Sequence, residues 1–146
     1  MTAIEEIRKV TPLDELELAI SRLPAVEFPV DHLFVPGIYI RTTTLPAGSI
    51  LTSLEHKTKH LFVILSGKVE VKSEFENIIY EGPVCGVTEP GTKRVLFAHT
   101  DTVWMTIHAN PDDLTNPDEI GERITEKFDN PLFEDKDAPR LNQWRQ

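Results

Sequence analysis

Residues 45–67, LPAGSILTSLEHKTKHLFVILSG, decide how the chain folds. Residues 60–65 are almost wholly apolar and stop at Ser66-Gly67, after which Lys68-Val69-Glu70-Val71-Lys72 alternates polar and apolar. An apolar run, a turn pair and an alternating run predict a β-hairpin. Upstream, Pro46-Ala47-Gly48 opens a second apolar run at Ile50-Leu51, and between the two lies Glu55-His56-Lys57-Thr58-Lys59-His60. In extended backbone, residues of equal parity share a face, so His56 and His60 point the same way but stand about 13 Å apart. One metal reaches both only if the chain bends between them.

Working outward, residues 31–34 read as a short strand, Val35-Pro36-Gly37 as a turn, and residues 38–44, with three consecutive threonines, as a second strand. Tyr39 and Arg41 share one face of it and Ile38 and Ile40 the other. If the polar face looks inward Arg41 joins a pocket; otherwise it is a surface arginine. Residues 77–80, 84–88, 94–99 and 102–108 follow as further strands between Gly/Pro turns. On the last of them Thr102, Trp104, Thr106 and His108 share a face. Roughly eight or nine short strands joined by tight turns predict a mainly β chain closed as an antiparallel barrel or jelly roll.

The central segment resembles the first motif of the cupin barrels, a Gly, His-x-His, a Glu and a closing Gly. Setting Gly67 on the closing glycine places His60 at the Glu position, His56 at the second His and Leu54 at the first. The second cupin motif, Pro-x-Gly-x-x-His with a later Asn, is similar to Glu89-Pro90-Gly91-Thr92-Lys93-Arg94, which puts Arg94 at the His position and Ala98 at the Asn position. HLFVPGIYIRT, EHKTKHL with Gly67, and PGTKR followed by AHTDTVWMTIH also resemble short cupin-like proteins found mostly in tailed phages and prophages. That likeness spans roughly residues 32–108. It implies a cupin-like (RmlC-type) barrel, a phage origin and a homo-oligomer, and no particular activity.

The 146 residues suit one domain, and 40% hydrophobic content suffices for one core. Residues 1–27 are expected to be an N-terminal helical segment, with short helices over 2–10 and 13–23. Residues 28–110 are expected to form the barrel, 111–128 a helix outside it, and 129–146 an extended tail. A net charge of −9 argues against a nucleic-acid partner. Neither a signal peptide nor a membrane span is expected, so the reading is cytoplasmic, in an infected host cell or a virion by the resemblance. Cys85 is the only cysteine, which excludes an intrachain disulfide, and its apolar strand makes it a small core residue.

His56 and His60 are the best candidate pair. One divalent metal (Zn, Fe, Mn or Ni) would need a third protein ligand, for which His99, His108 and Glu55 are available, and His99 is the one carried forward. Without a metal, the histidines are hydrogen-bonded groups in a polar barrel mouth. Lys93 and Arg94 have opposite parity, so one points inward, where a guanidinium can grip carboxylate or phosphate with two parallel hydrogen bonds. Either can instead pair with surface carboxylates. Trp104 offers a stacking surface, or else is core, and His32 and His108 read as satisfied edge histidines. No nucleophile elbow, paired-carboxylate spacing or Gly-rich phosphate loop stands out.

The leading expectation is a non-catalytic accessory protein that binds a small anion or a metal in the barrel mouth. Its ligand-binding residues would be His56, His60, Arg94, His99, Lys93, Arg41 and Trp104, and its metal ligands His56, His60 and His99. One alternative is a metal-dependent cupin enzyme of the isomerase or dioxygenase class. Another is a virion or assembly component whose terminal segments grip neighbouring subunits.

Overall fold

The computed structural model describes residues 9–133. Two antiparallel sheets face each other. Strands β1 (Val30–Val35), β2 (Gly37–Leu45), β4 (His60–Ser66), β7 (Val84–Thr88) and β9 (Thr102–Asn110) form a five-stranded sheet in the order β1-β2-β9-β4-β7. Strands β3 (Ile50–Thr52), β5 (Lys68–Ser73), β6 (Asn77–Glu81) and β8 (Arg94–Ala98) form the other, ordered β3-β8-β5-β6. The helices are α1 (Pro12–Ser21) and α2 (Pro117–Ile124).

The hairpin expected at Ser66-Gly67 does not form. β4 pairs with β7 and β9, while β5 pairs with β6 and β8. Gly67 therefore turns the chain from one sheet into the other. Its φ of +97° is left-handed, and a Cβ there would stand 2.3 Å from the Asp101 carbonyl oxygen. Only glycine fits both demands. A true hairpin closes at Pro36-Gly37, where Val35 faces Ile38 across the turn.

Between the sheets the interior is graded. One end is apolar, with Leu45, Phe62, Ile64, Val69 and Trp104 buried together. The other end is polar, with Arg41, His60 and His108 buried. On β2 the inward face is the Tyr39, Arg41, Thr43 and Leu45 face.

α1 starts at Pro12 because Thr11 caps it. The Thr11 side chain accepts from the Asp14 N–H while Asp14 accepts from the Thr11 N–H, a reciprocal capping box. Thr11-Pro12 thus opens the helix, which covers residues 12–21 against the expected 13–23. Of the expected helix over residues 2–10, all but the last two residues lie outside the described ones.

α2 is shorter than the expected 111–128. Asn110 closes a loop by donating to the Leu114 carbonyl and accepting from its N–H, and Asn116 then caps a helix opened by Pro117. At Thr125 the backbone turns extended and forms a single antiparallel bridge with His56. Lys57 N–H donates to the Ile124 carbonyl and Glu126 N–H to the Glu55 carbonyl. This strap seats Ile120 and Ile124 on Tyr39.

Of the expected tail, residues 129–133 are described. Asn130 is buried and donates to the Asp14 carbonyl and to Glu17 Oε1. Cys85 is exposed on β7, a correction to its expected place in the core: Val84 and Gly86 take the inward positions.

Candidate functional site

The bend that joins His56 to His60 falls at residues 57–59. His56 is fixed from both sides, its N–H donating to the Thr92 carbonyl at 3.0 Å and its carbonyl accepting from Gly91 N–H at 2.7 Å. His60 opens β4 opposite Thr88. Their rings come to 4.6 Å between centroids. His108, on β9, lies 4.4 Å from His60 and 6.2 Å from His56, completing a cluster of three imidazoles.

All three imidazoles are neutral at physiological pH. Burial is the main cause, pushing His56 down to about 3, His60 to about 4 and His108 to about 2. His60 depresses His56 and His108 further, His56 depresses His108, and Arg41 and Arg94 add to the effect on His56. His60 Nδ1 lies 3.2 Å from the Thr58 carbonyl. A carbonyl only accepts, so in the neutral ring Nδ1 carries the proton and Nε2 is the acceptor.

Arginines approach from both sheets. Arg41, on β2, is buried and donates to Thr43 Oγ1 at 3.2 Å. Burial lowers its pKa to about 10, so it stays protonated at neutral pH. Arg94, on β8, donates to Thr88 Oγ1 and lies 4.8 Å from the Phe62 ring centre and 5.9 Å from that of Trp104. Those two rings are themselves stacked, 3° from parallel, and form a shelf under the guanidinium.

His56, His60, Arg41, Arg94 and Trp104, together with hydroxyls from Thr52, Ser53, Thr106 and Thr125, line one cavity of about 60 Å³. Leucines complete its wall, and no carboxylate is among the lining residues. A much larger groove of about 1220 Å³ lies outside, between α1, the β5–β6 hairpin and α2. Its lysines are interspersed with carboxylates, so the converging cations belong to the smaller cavity.

The described residues do not fit a divalent metal held by His56, His60 and His99. Among the described residues no group of three or more His, Cys, Asp or Glu is arranged to hold a metal ion. The donors also share their cavity with two guanidiniums and no carboxylate, an environment that repels a dication.

His99 is not part of the site. It is exposed, with Nε2 3.2 Å from Glu70 Oε1 and its ring edge-on to Phe97 at 4.9 Å. The reason is strand parity: Arg94 and Leu96 line the cavity, so His99, an odd number of places from both, points away from it. Lys93 likewise points away, its Nζ 2.7 Å from Glu17 Oε1 and 5.3 Å from the Phe128 ring centre. Trp104 is at once a core side chain and part of the cavity wall.

His108 was read from sequence as an edge histidine and is instead 1% exposed. The available signal was its shared face with Trp104 and Thr106. His32, the other edge histidine, meets the Tyr39 hydroxyl at 2.6 Å through Nδ1. Thr125 was unforeseeable, because its place depends on where α2 folds back.

No protein-family model matches the chain, and no curated protein matches it in sequence. Solved structures do match in shape. Salicylate 1,2-dioxygenase from Pseudaminobacter salicylatoxidans aligns with a TM-score of 0.54 and 16% identity over 68% of this chain and 32% of its own. The chain thus spans about a third of that enzyme. An RmlC-like cupin from Shewanella frigidimarina aligns with a TM-score of 0.50 and 10% identity over 56% of this chain and 75% of its own. At such identities the likeness concerns the fold alone, and it agrees with the two facing antiparallel sheets: this is a mainly β chain with a cupin-like fold.

Proposed function

We propose that the chain is a non-catalytic binding protein whose barrel cavity holds a small anion of carboxylate or carbonate size. The observation that carries this reading is the lining itself: two guanidiniums, one from each sheet, face one cavity whose wall contains no carboxylate. A guanidinium presents its N–H groups as a planar fork that matches a carboxylate. Arg94 is held by the Thr88 hydroxyl and by the Phe62 and Trp104 rings, so little side-chain freedom is lost on binding. The hydroxyls of Thr52 and Ser53 supply further donors at no cost in charge.

Volume limits the ligand. About 60 Å³ is two waters' share of liquid, far below the roughly 300 Å³ at which pockets for larger organic ligands begin. Acetate, bicarbonate, or the carboxylate end of a longer molecule fits, whereas a nucleotide needs the strap at Thr125 to open. The motifs shared with short phage and prophage proteins support a phage-encoded accessory role for this binding.

Titration calorimetry with acetate, bicarbonate and phosphate tests the reading. One saturable site per chain is expected for a small carboxylate or bicarbonate. In Arg94→Gln, loss of a charge-assisted hydrogen bond weakens binding roughly ten- to a hundredfold. Absence of heat with every anion, or an unchanged Arg94→Gln, would remove the proposal.

A further inference from the structure

The wall of the small cavity holds a buried acceptor that no described residue satisfies. Arg41, Arg94, Thr52 and Ser53 offer the cavity donors. The Ser53 oxygen already accepts from the Arg94 backbone N–H at 2.9 Å, so its proton is what remains for a ligand. The other two hydroxyls of the wall are engaged: Thr125 donates to the Gly121 carbonyl, and Thr106 Oγ1 lies 2.8 Å from His108 Nε2. His60 is the exception. Its side chain is buried and lines the cavity. Nδ1 donates to the Thr58 carbonyl, and Nε2 has no hydrogen-bond partner among the described residues, although the rings of His56 and His108 stand close by. Moving the ring proton does not help, because Nδ1 would then set a lone pair against the carbonyl oxygen. Nor does the ring take a second proton at neutral pH, since burial and the nearby Arg94 guanidinium both oppose it. Strand pairing sets this acceptor beside the cation: His60 faces Thr88 across the β4–β7 ladder, and Thr88 Oγ1 is the oxygen to which Arg94 donates.

We infer that the ligand is a carboxylate carrying its own hydroxyl donor, as bicarbonate and small 2-hydroxy acids such as glycolate do. Its carboxylate lies on Arg41 and Arg94, and its hydroxyl donates to His60 Nε2. The inference rests on the anion-binding role proposed above and narrows it. A plain carboxylate such as acetate sets only a methyl group against Nε2 and shuts it off from water, and a buried acceptor left without a donor is costly. A hydroxyl supplies that donor without adding charge. An ammonium group would supply one too, but two guanidiniums facing one cavity of about 60 Å³ repel a second cation. Sites built to pair a ligand hydroxyl reject the analogue lacking it far more strongly than an apolar pocket rejects an extra methylene.

Titration calorimetry of the full chain at neutral pH with bicarbonate, glycolate and acetate tests this. Bicarbonate differs from acetate by a hydroxyl in place of the methyl group, and glycolate by an added hydroxyl. The hydroxyl-bearing anions are expected to bind wild type roughly ten- to a hundredfold tighter than acetate. A gain for bicarbonate alone assigns the inorganic anion, and a gain for glycolate alone assigns the 2-hydroxy acid. In His60→Phe, which keeps an aromatic ring but has no acceptor, the ratio of affinities is expected to fall to about one. Acetate binding wild type as tightly as both others overturns the inference and leaves the anion-binding role standing. No heat from any of the three overturns both. The wild-type comparison decides even if His60→Phe does not fold, and a folded His60→Phe that keeps the ratio overturns the inference equally.

Discussion

The Arg94 guanidinium rests on an aromatic shelf that depends on a glycine. Phe62 faces Gly86 across the β4–β7 ladder, and a Cβ on Gly86 would stand 2.6 Å from the Phe62 ring. Gly86→Ala is therefore expected to displace that ring at about 1–3 kcal/mol and to weaken anion binding without touching the cavity wall, which thermal melts and calorimetry would read. The histidine cluster sets the response to acid. Folding lowers the pKa of all three imidazoles, so below about pH 6.5 the unfolded chain takes up protons that the folded one refuses. Their stabilising effect is fully present above that pH and is lost as the pH falls toward the folded value of about 4 for His60, at up to about 1.4 kcal/mol per imidazole per pH unit. Melting temperatures are expected to hold level from pH 7.5 to about 6.5 and to fall from there to pH 5, and His108→Gln to flatten that slope. His56 and His60 were legible in sequence because a motif spaced them. His108 was not, because only strand pairing brings it to them, and His99 belongs outside because its parity relative to Arg94 turns it away from the cavity. The direction of Arg41 was undecidable: Ile38 and Ile40 on the opposite face are as apolar as a core face, since that sheet is apolar on its outside too.

Strand positions along the chain were legible nearly throughout, since alternation and Gly/Pro turns mark them locally. Which strands pair was not. The run through Ser66-Gly67 has the local grammar of a hairpin, yet the left-handed Gly67 sends β5 into the other sheet. The helices show the same limit. The apolar spacing of Ile120 and Ile124 announced α2, but its end is set by pairing of residues 124–126 with the distant segment 55–57. That strap roofs the cavity through Thr125. Ile124→Ala is expected to cost about 2–5 kcal/mol and to speed anion entry, measurable as faster association with a stability loss of that size. α1 is tied down by a buried pair, Lys93 with Glu17, whose side-chain exposures are 16% and 0%. Lys93→Ala leaves the Glu17 carboxylate buried without its cation, so a loss of about 3–5 kcal/mol is expected in chemical denaturation. Removing both charges by Glu17→Gln with Lys93→Met should recover much of it.

The whole molecule is acidic at its surface and cationic in one interior cavity, an inversion that composition conceals. A net charge of −9 turns attention from nucleic acids, but it does not show that two guanidiniums face inward. The same folded chain presents an apolar outer face where its alternate residues leave the barrel interior. Fold and cavity thus come from one strand pattern read on its two sides. The most direct test of the central claim is a high-resolution crystal structure of protein soaked in acetate, viewed at the barrel cavity. The account predicts planar density between Arg41 and Arg94, with guanidinium nitrogens about 2.7–2.9 Å from its oxygens. A spherical peak about 2.0–2.1 Å from imidazole nitrogens, the distance of a bound metal, would contradict it.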